Sequence, residues 1–300
     1  MRLHESMRAG SSAWHERLTC TNSMLVDFEQ WLMKNHTRRY SKDLVRYVRK
    51  YHDVLRCPRK ISKISVLPKD TRRLAMSGLA NLSKYLGCYE YWKTLVKNAG
   101  LKWEKKVSLD IVLDIINSDL QDCRVWLEEV LEKIPKEYGC VLVFTALTGL
   151  RPGEAAKSTK LISNLYDMGR LNDYLNQELL MLEHFRYSDL FLRRCKNAYI
   201  SFITPELLEL ITTYTPRIKY SALDTKINRL GFSTKTKQLR KYYATTLREY
   251  LPTEAIDLLQ GRINQSVFLR YYYKPFLQDI KEKTLKGIEP LQKELLKILS

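Results

Sequence analysis

Apolar positions recur at helical spacing early in the chain. Leu25, Phe28 and Leu32 stand at i, i+3 and i+7, and Leu44, Tyr47, Val48, Tyr51 and Leu55 form a second stripe behind Ser41, which is expected to cap that helix. Two more helices are predicted over 70–86 and 89–98. Gly87 and Gly100 close them, because glycine accepts the left-handed backbone that ends a helix. Together these segments predict a small helical bundle over 21–103. An extension, 1–20, precedes it, and the pattern leaves its order open.

The polar segment Gly100-Leu-Lys-Trp-Glu-Lys-Lys, followed by a helix cap at Ser108, sets the expected domain boundary. Beyond it, helices are predicted over 109–117, 120–134, 137–147, 205–214, 222–230, 235–250, 253–259 and 265–273, the last stopped by Pro275. Two strands are predicted over 189–193 and 198–204; the second is rich in β-branched and aromatic residues and bounded by Pro205. The turn between them, Arg194-Cys195-Lys196-Asn197, would place a lysine at a hairpin tip. A last amphipathic segment, 288–299, carries Leu291, Leu295, Leu296 and Leu299. The expected fold is mainly α with a small β-hairpin or sheet. It has two domains, a helical one over 21–103 and a mixed one over 108–285, and ends in a helix within 286–300.

Charge turns this outline toward a partner. The chain carries 51 Lys and Arg against 33 Asp and Glu, a net charge of +18 with a pI near 9.5, which favours a polyanion. The excess is densest between Lys34 and Arg73, where 14 Lys or Arg face only Asp43, Asp53 and Asp70. One basic residue on a helix is usually just solvated. So dense a run, interleaved with Tyr40, Tyr47 and Tyr51, favours contact with a phosphate backbone. A membrane surface is the weaker reading, since no apolar stretch approaches the ~20 residues that span a bilayer. The opening residues also lack the apolar run of a secretory signal, so a cytoplasmic, DNA-associated protein is expected. Six cysteines (Cys20, Cys57, Cys88, Cys123, Cys140 and Cys195) are scattered singly and predict small packing residues, with no metal and no cofactor.

Cleaving a phosphodiester without a metal needs a nucleophile, fixed positive charges around the phosphorus, and an acid for the leaving oxygen. Arginine suits the second task, because its fork of donors stays charged and matches phosphate oxygens. Three segments hold arginines in rigid contexts. In Thr148-Gly149-Leu150-Arg151-Pro152-Gly153-Glu154 a helix ends, a glycine turns the chain and Arg151 precedes a proline-initiated helix. The plain alternative there is a simple Arg151–Glu154 pair. In Thr236-Lys237-Gln238-Leu239-Arg240, Lys237 and Arg240 lie at i and i+3 on one side of a helix. The third segment, Leu259-Gln260-Gly261-Arg262, leads to Leu269-Arg270-Tyr271-Tyr272-Tyr273.

In this order and spacing the three segments resemble the tyrosine recombinase (phage integrase) family. Its pattern is Thr-Gly-Leu-Arg-x-x-Glu, a lysine in a β-turn, a His/Lys-x-x-Arg box, a Gly-His or Gly-Arg, and a tyrosine just beyond. The resemblance runs roughly from Gly139 to Phe276, and the helical N-terminal region matches the family's core-binding domain in type. Lysine at Lys237 and arginine at Arg262, where bacterial members keep histidine, make the chain most similar to integrases of archaeal spindle-shaped viruses and plasmids. The last histidine is His184, so neither position holds an imidazole.

The resemblance implies that Arg151, Arg240 and Arg262 hold the non-bridging oxygens. It makes Lys196 the general acid, gives Lys237 an assisting role and has Glu154 orient rather than react. It selects Tyr272 as the nucleophile, with Tyr271 the alternative. The implied activity is DNA integration or excision through a 3′-phosphotyrosyl intermediate, without metal or ATP. The implied assembly is a homotetramer on double-stranded attachment sites, monomeric or weakly dimeric in solution. Relaxation of supercoils in the manner of a type IB topoisomerase, and DNA binding without catalysis, remain as other readings. The C-terminal helix either passes to a neighbouring protomer or packs on its own domain.

Overall fold

In the computed structural model, which describes residues 21–103, 108–116, 120–193, 196–263 and 275–299, the first apolar stripe forms α1 (Asn22–Met33). The Thr21 hydroxyl accepts from the Met24 amide at 3.3 Å and caps it. Helix α2 (Arg38–Tyr51) starts a turn earlier than Ser41 would set it. Its cap is Thr37, whose Oγ1 accepts from the Tyr40 amide at 3.4 Å, and Ser41 is buried inside the helix. The longer helix gains Arg38 and Arg39. Helices α3 (Lys69–Tyr85) and α4 (Tyr89–Asn98) follow, and Gly87 and Gly100 adopt positive φ beyond their ends, as expected of closing glycines.

The chain divides into two compact units, Met1–Ile115 and Ile116–Ser300. The expected linker, 104–107, lies outside the described residues, and the division falls within α5 (Ser108–Ile116). In the first unit Phe28, Leu32, Leu44, Val48, Leu79 and Leu82 are fully buried. Helix α3 crosses α2 closely: a Cβ on Gly78 would lie 3.2 Å from the Leu44 carbonyl oxygen. With Leu44, Val45 and Val48 turned inward, Arg38, Lys42, Arg46 and Arg49 form an exposed stripe along α2.

The second unit is built around one helix. After α6 (Leu120–Lys133), α7 (Lys136–Thr148) is buried from Gly139 to Thr148 without interruption, as suits a helix that is apolar on every side. Around it pack α6, α8 (Pro152–Asp167), α9 (Pro205–Tyr214), α11 (Thr236–Leu247) and α13 (Leu277–Leu299). Helices α10 (Tyr220–Arg229) and α12 (Thr253–Leu259) complete the longer described helices of the unit.

A three-stranded antiparallel sheet, β1 (Leu175–Asn176), β2 (Met181–Glu183) and β3 (Ile200–Phe202), lies against α12 and α13 through β3. Leu175 pairs with Leu182, and Met181 with Phe202. Only the later of the two expected strands exists. Ser188–Phe191 is a short helical turn and Leu192 and Arg193 lie in coil, so Lys196 sits in a loop between that turn and β3 rather than at a hairpin tip. The hairpin is upstream, between β1 and β2.

The last helix is also longer than expected. It starts at Leu277 and continues through Pro290, with Ile280, Ile288, Leu291, Leu295 and Leu299 buried against its own unit. In this chain its apolar face is therefore occupied in cis. Among the described residues no helix is long and apolar enough to cross a membrane. Cys88, Cys123 and Cys140 are buried, Cys57 is half-buried, and none of the four is in a disulfide; Cys20 and Cys195 lie outside the described residues.

Candidate active site

Helix α7 stops at Gly149, whose φ of +63° is left-handed. A side chain there would also collide with the buried ring of Tyr243 from α11: a Cβ would fall 2.6 Å from Cε1 and 2.7 Å from Cγ. The glycine thus lets α11 press against the turn, and two residues later Arg151 is the N-cap of α8 with Pro152 in its first turn.

Glu154 reaches back from the third helical position. Its Oε2 accepts the Arg151 amide at 3.2 Å, and its Oε1 accepts Arg151 Nη1 at 2.9 Å. The same Oε1 accepts Arg193 Nη2 at 2.6 Å. One carboxylate, only 1% exposed, therefore holds two guanidiniums and leaves a net positive charge.

Arg240 projects from α11 into the interior and is 9% exposed. Its Nη1 donates to the Gly149 carbonyl at 2.8 Å and its Nη2 to the Gln260 carbonyl. The Gln260 amide donates back to the Arg240 carbonyl at 2.8 Å. The next residue, Gly261, has a φ of +61°, and a Cβ there would fall 2.6 Å from the Asn197 carbonyl carbon. Arg262 follows, its amide held by the Asp257 carbonyl at 2.7 Å and its Nη1 3.7 Å from Asp257 Oδ1. The circuit closes where Arg151 Nη1 donates to the Asn197 carbonyl at 3.2 Å.

Turns from three distant parts of the sequence therefore meet around α11, and their cations feel one another. The Arg240 guanidinium is pushed down to about 10, first by burial and then by the positive charges of Arg151 and Arg262, with Glu154 opposing them. It stays charged at neutral pH, in a place where like charges repel. A dianionic or diester phosphate, with several acceptor oxygens, is the kind of ligand that relieves such repulsion.

Of the residues expected in the site, Arg151 and Glu154 bond directly, Arg240 braces the turns that precede Arg151 and Arg262, and the charges of both act on Arg240. The alternative of a plain Arg151–Glu154 pair is realised within the cluster rather than instead of it. Lys196 is exposed and adjoins Asn197, the residue that touches both Arg151 and Gly261. Lys237 is exposed one turn before Arg240 on α11. Tyr271 and Tyr272 lie outside the described residues, as does the helix expected over 265–273.

The residues that sequence reasoning missed are Arg193, Asn197 and Gln260. Only Gln260 carried a signal, its place immediately before the Gly-Arg pair. Among the described residues no group of three His, Cys, Asp or Glu stands together as a metal-binding set. His184 is a packing residue: fully buried, it bonds the Tyr174 hydroxyl at 2.5 Å through Nδ1 and Ser201 Oγ at 2.9 Å through Nε2. No protein-family model matches the chain, and no curated protein matches it.

Proposed function

We propose that this chain is a site-specific tyrosine recombinase of the integrase type that breaks and rejoins double-stranded DNA. The observation that carries the reading is the convergence of Arg151, Arg240 and Arg262 from separate segments, with the Lys196 loop hydrogen-bonded to the first and packed against the glycine before the third.

In this reading the arginines hold the non-bridging oxygens of one phosphodiester and stabilise the charge that grows as the phosphorus becomes five-coordinate. The Tyr272 oxygen attacks phosphorus and gives up its proton, the bond to the 5′ oxygen breaks, and the Lys196 ammonium protonates that oxygen. The products are a 3′-phosphotyrosyl link and a free 5′ hydroxyl. Since the link conserves the phosphodiester energy, a 5′ hydroxyl from a second strand reverses the step without a further energy source. Lys237 adds positive charge at the edge, and Glu154 fixes Arg151. The first unit grips the duplex through the basic stripe of α2, four protomers assemble on paired sites, and the enzyme works in the cytoplasm on an element of the archaeal virus or plasmid kind.

A nicked DNA substrate, from which the short fragment bearing the free 5′ hydroxyl diffuses away after cleavage, tests this. The protein is expected to form a covalent adduct, which Tyr272→Phe abolishes while leaving DNA affinity within about threefold, since one hydroxyl among many phosphate contacts adds little. Loss of the adduct in Tyr271→Phe instead would move the nucleophile by one residue. Absence of adduct on any DNA overturns catalysis in favour of simple binding, and supercoil relaxation without exchanged strands favours a topoisomerase.

A further inference from the structure

The loop that carries Lys196 is closed by the residue beside it. The Asn197 side-chain oxygen accepts the Arg193 amide at 2.6 Å, and its side-chain nitrogen donates to the Tyr199 hydroxyl at 3.0 Å. The amide orientation follows from chemistry, because a backbone N–H can only donate and so must face the oxygen. The Asn197 carbonyl accepts Arg151 Nη1 at 3.2 Å and lies against Gly261, where no Cβ intervenes. Tyr199 in turn packs on the core of the second unit. Asn197 thus ties the loop to itself, to the core, to the first arginine turn and to the third.

We propose that Asn197 is the positioning residue for Lys196, locking the exposed lysine's backbone so that its ammonium meets the leaving 5′ oxygen of the DNA strand. Arg193 is its accessory: its amide closes the loop on Asn197, while its guanidinium shares Glu154 with Arg151. The inference rests on the recombinase reading above. A long lysine on an untethered loop samples many rotamers, and general-acid catalysis requires the donor within hydrogen-bond reach of its target.

The leaving group supplies a readout that a merely structural role does not move. Replacing the bridging 5′ oxygen by sulfur makes the departing group a thiolate, which leaves without a proton because thiols ionise near pKa ~8.5. The phosphorus–sulfur bond breaks, the same phosphotyrosyl link forms, and no acid is needed.

With the full-length protein on matched oxygen and sulfur substrates, Asn197→Ala is expected to slow cleavage of the oxygen substrate by about 10- to 100-fold, a fraction of a general acid's usual share. On the sulfur substrate it should stay within about threefold of the unaltered protein. Lys196→Ala should show the same pattern more strongly, and Asn197→Asp, which keeps the acceptor for the Arg193 amide, should recover most of the oxygen-substrate rate. Should Asn197→Ala fold poorly, Tyr199→Phe removes the outer bond alone and should give a smaller loss, again rescued by sulfur.

Equal slowing on both substrates, or no slowing on oxygen, overturns the positioning role while Lys196→Ala still shows rescue. If Lys196→Ala is itself not rescued, Lys196 is not the general acid and this inference falls while the recombinase reading stands; if the unaltered protein forms no adduct, the recombinase reading falls and takes this inference with it.

Discussion

Gly149→Ala probes whether the turn that delivers Arg151 is built on the contact between α7 and α11. Two costs add. At φ +63° a residue with a Cβ pays about 1–2 kcal/mol for a left-handed backbone. The new carbon would also lie 2.6 Å from Tyr243 Cε1, 2.7 Å from Cγ and closer still to Cδ1, whereas unstrained carbon contacts start near ~3.5 Å, so a buried ring must retreat by more than ~1 Å. Overfilling a packed core in this way costs about 1–3 kcal/mol. The expected total is about 2–5 kcal/mol. For a unit of this size each kcal/mol lowers Tm by about 2–4 °C, so calorimetry should show the second unit's transition shifted down by roughly 4–20 °C.

The two costs separate in a Tyr243→Leu background. There the ring is gone and Gly149→Ala should lose only the backbone part, about 1–2 kcal/mol. A cost that is the same in both backgrounds, or below ~1 kcal/mol with the ring present, would refute the close-contact account. Since the Gly149 carbonyl also holds Arg240, phosphate affinity should fall with stability.

Two further outcomes follow from the geometry. Burial holds the His184 imidazole down to about 3, so the fold keeps it neutral while the unfolded chain protonates near ~6.5. The unfolded state binds the proton first. This contribution is therefore intact above about pH 6.5 and is lost as pH falls, by about 1.4 kcal/mol per unit. Urea unfolding between about pH 6.5 and 5, where carboxylates stay largely ionised, should show that slope, and His184→Gln should flatten it; an unchanged slope refutes the assignment. Arg262→Ala should slow adduct formation by about 10²–10³-fold with little loss of DNA affinity, the cost of one transition-state contact, and a near-normal rate would remove Arg262 from the site.

Much of the helical frame was legible because its ends are chemically marked. Tyr89–Asn98, Pro205–Tyr214 and Thr253–Leu259 run as predicted, bounded by prolines or by glycines that take positive φ. Of the small sheet only β3, within the strand expected over 198–204, was legible. Leu175, Leu179 and Leu182 have helical spacing, and that segment becomes a hairpin only because β3 supplies pairing partners from afar and Leu180 accepts a φ of +46°. The run Leu190-Phe191-Leu192 looks like a strand, yet Phe191 is buried from a single helical turn.

The last helix was expected to start just after Gly287, over 288–299, but it runs from Leu277. Gly287 is instead a contact point, where a Cβ would fall 2.7 Å from a Leu247 methyl and 2.9 Å from the Tyr250 ring. In the site, the arginines stood out because turn residues frame them. Arg193 and Asn197 did not, since their roles come from partners 39 and 46 residues away in sequence.

Arg240 is held by the carbonyl two residues before Arg151 and by the carbonyl two residues before Arg262. One side chain therefore acts as a brace between the turns that present the other two cations. In the language of inheritance, the three arginines are a single trait. A lineage that replaced Arg240 would loosen both neighbours together, and a change at either flanking turn would be felt by the opposite one, so their substitutions should not combine additively. That coupling restricts which altered versions of the pocket can be reached one mutation at a time.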